Sequence, residues 1–124
     1  MRVRAAAIAA MFVVAVALAG CGSDSSSSYT EPTGPPIKTV KVSGSSFKFV
    51  PSKVTVPAGI IQFDLTSTDI QHTLVIKGIP GFQVEAGSGG SASGKVKLSK
   101  GTYTFYCNIA GHESAGMKGT ITVE

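Results

Sequence analysis

The chain has 124 residues, with 11 Lys and Arg against 7 Asp and Glu, a formal charge of +4, only two histidines and two cysteines, and no tryptophan. So mild a surplus of positive charge excludes a nucleic-acid-binding protein of the usual kind, which presents a clustered basic face. Two cysteines also exclude a small disulfide-built scaffold.

The basic start Met1–Arg4 precedes Ala5–Leu18, apolar throughout. A membrane-spanning helix needs roughly 20 such residues, and the shorter run has the length of a secretory signal's apolar region. Leu18-Ala19-Gly20-Cys21 then matches a bacterial lipoprotein box. Residues 1–20 are expected to be a signal peptide and Cys21 the lipid-modified first residue of the mature protein. Several acyl chains anchor stably where one is marginal. The expected location is therefore the outer face of the cytoplasmic membrane, on the periplasmic or cell-envelope side. Losing Arg2 and Arg4 leaves nine basic against seven acidic side chains, suited to salt-sensitive docking rather than tight charge binding.

Residues 21–36 carry the lipidated cysteine and a Ser- and Pro-rich stretch with little to bury, expected to be a flexible tether. From Ile37 onward short alternating segments follow one another. They run Lys38–Val42, Phe47–Val50, Lys53–Val56, Ile60–Thr66, Thr73–Ile76, Lys95–Leu98, Thr102–Cys107 and Lys118–Val123. Turn residues separate them, and no helical period appears after residue 37. Residues 37–124 are thus predicted to be one all-β domain, a β-sandwich of about seven to eight strands, with residues 87–94 a loop.

The chemistry sits in Cys107-Asn108-Ile109-Ala110-Gly111-His112-Glu113-Ser114-Ala115-Gly116-Met117, a loop between two strands. If Cys21 is lipidated, Cys107 has no partner in the chain, and a lone thiol in an exported protein needs burial or a metal. Any metal site with nitrogen ligands must use His72 and His112, the only histidines. Taken singly, Met117 reads as core filler, His72 as a structural hydrogen-bonder and Cys107 as a small buried hydrophobe. Taken together, two imidazoles, one thiolate and a weak axial thioether form the donor set of a single type 1 copper ion. Met117 makes zinc a poor fit.

Gly101–Cys107 and Gly116–Val123, with a histidine before an apolar strand upstream, closely resemble the end of plastocyanin-like cupredoxins. The resemblance covers about residues 38–124 and implies a Greek-key β-sandwich with His72, Cys107, His112 and Met117 as copper ligands. Four residues separate Cys107 from His112 where plastocyanins have two, a spacing closer to azurin- and rusticyanin-type loops.

Alternation turns Tyr103, Phe105 and Cys107 inward and Tyr106 outward. In the resemblance that outward position is a surface route for electrons. Thr73 and Asn108, each next to a ligand, are the natural partners to orient the donors. The implied function is one-electron transport at the membrane, not enzymology. A copper enzyme would need histidines for a second centre. Partners would be redox proteins such as a cytochrome, oxidase or reductase, meeting a monomer weakly near His112, where Ile109, Ala110, Ala115 and Gly116 lie. A copper chaperone or buffer is the competing function.

Overall fold

Alternating side chains sort onto two faces once the segments become strands, and here they do so in nine of them. The computed structural model describes residues 29–124. The expected signal peptide, the lipidation site Cys21 and the tether up to residue 28 lie outside the described residues. The strands are β1 (Lys38–Ser45), β2 (Lys48–Val50), β3 (Lys53–Val56), β4 (Gly59–Ser67), β5 (His72–Ile76), β6 (Gln83–Ala86), β7 (Ser91–Leu98), β8 (Gly101–Tyr106) and β9 (Lys118–Val123). Among the described residues there is no helix.

The strands form two sheets, ordered β2-β1-β4-β7 and β3-β9-β8-β5-β6. β1 pairs with β4 and β3 with β9 in parallel, and the remaining pairs are antiparallel. Inward residues of both sheets meet in one core that includes Val42, Phe63, Leu65, Leu74, Leu98, Phe105 and Ile121. Each large apolar side chain so buried contributes on the order of 1.5–3 kcal/mol. This is the all-β sandwich expected from the sequence.

Several details differ from expectation. The strand β6 was not foreseen, because Gln83-Val84-Glu85-Ala86 is short and half polar; it forms because Val84 and Ala86 are buried and pair along β5. β7 begins at Ser91, inside the predicted 87–94 loop, and pairs with β4 from Thr66 onward. Glycine is needed there for space: a Cβ on Gly94 would lie 2.9 Å from Val84 Cγ2 and 3.3 Å from Phe82 Cε2. The predicted tether also ends earlier than residue 36. Tyr29 donates its hydroxyl to the Lys95 carbonyl at 2.7 Å and sets its ring edge-on to Phe82, so the chain is already packed on the domain at residue 29. An aromatic ring in an otherwise polar stretch finds apolar cover on the sandwich flank.

Candidate metal centre

The loop that follows β8 is pinned by its own backbone. Cys107 N–H donates to the Met117 carbonyl at 3.1 Å, and Met117 N–H returns to the His112 carbonyl at 3.0 Å. Between them, His112 N–H bonds to Ile109 O and Gly116 N–H to Glu113 O. Gly111 and Gly116 supply the positive φ values, 83° and 109°, that let so short a loop turn back. Cys107 continues the inward face of Phe105, and both are fully buried. His72 opens β5 on the neighbouring strand, also fully buried.

These placements bring together His72, Cys107 and His112, whose donor atoms all lie within 4.8 Å of one another. His112 Nδ1 faces Cys107 Sγ at 3.3 Å, and the two imidazole rings lie 5.3 Å apart at 62°. Met117 is fully buried, and its methyl and the His72 ring both lie against Gly44 of β1: a Cβ there would be 3.0 Å from Met117 Cε and 3.2 Å from His72 Cδ2. Glycine at position 44 is therefore what admits both side chains to this end of the sandwich.

One atom shows what the cluster is for. Among the described residues, His72 Nδ1 is the single buried side-chain nitrogen or oxygen without a hydrogen-bond partner. An unsatisfied buried polar atom costs about 1–3 kcal/mol unless something binds it. His72 Nε2 lies 2.7 Å from Asp69 Oδ1. The Asp69 carboxyl is held down to about 2, first by the Ser46 backbone N–H, then by that of Ile70, with His72 adding to them. It is thus a carboxylate near neutral pH and can only accept, so Nε2 is the nitrogen that donates to Asp69, and Nδ1 is the nitrogen turned to the cluster without a partner. A buried, unpartnered imidazole nitrogen beside a thiol, a second imidazole and a thioether suits a soft or borderline metal ion, copper above all.

Thr73 and Asn108, expected to orient the donors, lie beside the cluster and bond to each other. Thr73 N–H donates to Cys107 Sγ at 3.4 Å. The Thr73 hydroxyl donates to Asn108 Oδ1 at 2.7 Å and accepts from Asn108 N–H at 3.0 Å, tying the start of β5 to the loop after β8. Tyr106 faces outward, with Lys77 Nζ 5.1 Å from its ring centroid and 2.9 Å from Glu113 Oε1 in the ligand loop.

Two neighbours were not read from the sequence. Asp69 sits three positions before His72 in a polar loop, a pattern too common to signal anything. Phe47, predicted to begin a strand, instead occupies the two-residue turn between β1 and β2. Ser46 and Phe47 have φ of 47° and 59°, an uncommon conformation for non-glycine residues. The turn sets the Phe47 ring edge-on to His112, with centroids 4.9 Å apart. His112 is consequently only 7% exposed, while Phe47 is 41% exposed.

Comparison with known proteins agrees with this chemistry. A family model described as copper binding proteins, plastocyanin/azurin family, matches residues 37–124. Plastocyanin of Dryopteris crassirhizoma is 33% identical over 101 residues, which span 64% of this chain and 90% of that protein. Among solved structures, auracyanin B superposes with a TM-score of 0.68 at 22% identity, covering 76% of this chain and 94% of its own. The dithionite-reduced auracyanin of Roseiflexus castenholzii superposes with a TM-score of 0.58 at 26% identity, covering 73% and 99%.

Proposed function

The chain belongs to the plastocyanin/azurin family of copper-binding proteins, and on that premise we propose that it is a one-electron carrier with a single type 1 copper ion. The observation that carries the reading is the buried convergence of His72, Cys107 and His112, with His72 Nδ1 left unsatisfied. Bound there, copper supplies a one-electron couple between Cu(I), which favours sulfur, and Cu(II), which accepts imidazole and thiolate.

The protein's part is to make that couple fast. His72 and Cys107 are held by strands, and the loop carrying His112 and Met117 is closed by its own hydrogen bonds. A donor set fixed in this way needs little rearrangement when the charge changes. The Thr73 N–H on Cys107 Sγ draws charge from the thiolate and favours the reduced state. Burial of all four side chains supports a carrier that keeps its metal over a chaperone or buffer that releases it. A carrier, rather than an enzyme, also suits a chain with two histidines, both already at one site.

Exchange partners would be redox proteins that dock weakly over the His112 end. There Phe47, Ala110, Ala115 and Gly116 are exposed and Ile109 is half-buried. Tyr106, joined by one peptide bond to Cys107, offers a second way out for the electron. The leader and Cys21 support export and anchorage by lipid to the outer face of the cytoplasmic membrane.

Loading the purified domain with Cu(II) tests the reading. An intense visible thiolate-to-copper band is expected, bleached by one electron equivalent and absent in Cys107→Ser. A Cu(II)-loaded wild-type protein that stays colourless would overturn it.

A further inference from the structure

Asp69 bridges two parts of the centre through its two carboxylate oxygens. Its Oδ1 is 2.7 Å from His72 Nε2, while its Oδ2 accepts from Ser46 N–H at 2.7 Å. Ser46 begins the turn that carries Phe47 over His112. The loop bearing Asp69 is itself held on several sides. Ser67 N–H donates to Gly90 O at 2.8 Å and Thr68 N–H to Gly44 O at 3.2 Å. The hydroxyls of Ser67 and Ser88 bond to the carbonyls of Ile70 and Asp69. So many restraints on one exposed loop fix where the carboxylate stands. What it faces is a fully buried ring whose other nitrogen is unpartnered.

We propose that Asp69 is a positioning residue of the copper centre, which locks His72 in the Nε2–H tautomer and biases the couple toward Cu(II). The inference rests on the copper reading and adds a residue to it. A fixed carboxylate on the far side of a ligating imidazole orients the ring and makes the free nitrogen more basic. Its negative charge also favours the more highly charged metal state, and the Asp69 side chain, 36% exposed, is only partly screened by solvent. Thr73 N–H on the sulfur pushes the couple the opposite way. The two residues set the balance from opposite sides of the cluster.

The expected effect of Asp69→Asn, which keeps the size and one acceptor but removes the charge, is at least a tenfold shift of the Cu(I):Cu(II) ratio toward Cu(I) at fixed ambient potential. That is a rise of about 59 mV or more for a one-electron couple. A second reading uses metal-free protein, so it survives even if the copper assignment fails. Ring nitrogen NMR should show His72 protonated on Nε2 in wild type, and a mixture of tautomers in Asp69→Ala. If Asp69 merely braces the Ser46–Phe47 turn, both substitutions lower the melting temperature yet leave the ratio and the tautomer where they were, which overturns the proposal. An Nδ1–H tautomer in the wild type overturns it as well. Failure of the copper reading shows separately, as a colourless Cu(II)-treated protein whose His72 tautomer still responds to Asp69→Ala.

Discussion

Thr73 shows how finely the duties at this centre are divided. A hydroxyl has one proton, and at 2.7 Å Asn108 Oδ1 outcompetes Cys107 Sγ at 3.5 Å, so the sulfur's donor is the Thr73 backbone N–H. Thr73→Val keeps shape and N–H but leaves the Asn108 N–H and carbonyl unpaired. Asn108 is exposed and its freed groups can turn to water, so the change should cost about 0.5–1.5 kcal/mol in denaturant unfolding of the metal-free protein. The visible band should persist, and its loss would show that the hydroxyl, not the backbone, supports the thiolate. The partnership of Thr73 and Asn108 was legible because each adjoins a member of the His72–Cys107–His112 cluster. Asp69 and Gly44 were not. Position 44 lies 28 residues from His72, and nothing local says that a side chain there would meet His72 and Met117. Asp69 acts through a loop geometry that only the assembled sandwich defines.

At the level of elements, strands whose burial alternates along the chain, such as β1 and β4, were readable because period two is a local property. β6, the first half of β7 and the Tyr29–Pro36 segment were hidden for a shared reason. Their sequences are polar or glycine-rich, and what orders them is a partner elsewhere: β5 for β6, β4 for Ser91–Gly94, and the β7 flank for Tyr29. Phe47 was misread because strand propensity favours an aromatic residue, whereas tertiary contact with His112 holds it in a positive-φ turn. The Tyr29 docking can be tested by pH. Burial, with the Glu31 charge second, raises the phenol above its ordinary value of 10.0. The neutral phenol donates to Lys95 O and tyrosinate cannot, so this contribution is complete below about pH 10 and is lost as pH rises through the higher folded value. Tyr29→Phe should therefore be less stable than wild type by about 0.5–1.5 kcal/mol at pH 8. The gap should close and reverse well above pH 10. A gap constant with pH in melting experiments would show that the hydroxyl is not bonded.

Across the whole molecule, the donors come from one sheet and its loops, while the other sheet supplies Gly44 and the Ser46–Phe47 turn that encloses them. Ligand binding stabilises whichever state it selects, so metal at this end should hold the two layers together. His72, Cys107 and Met117 are fully buried, and His112, the member of the cluster nearest the surface, is only 7% exposed beneath the Phe47 ring. A chelator thus has no donor to displace until the Cys107–Met117 loop opens, and local opening has its own rate. Removal of copper by excess chelator should become independent of chelator concentration, reporting how often the loop opens rather than how tightly the ion is held. A removal rate that climbs in proportion to chelator would mean that the ion is reached directly. Where removal does not depend on chelator, the metal's residence time is a mechanical property of eleven residues, adjustable at Phe47 without touching His72, Cys107, His112 or Met117.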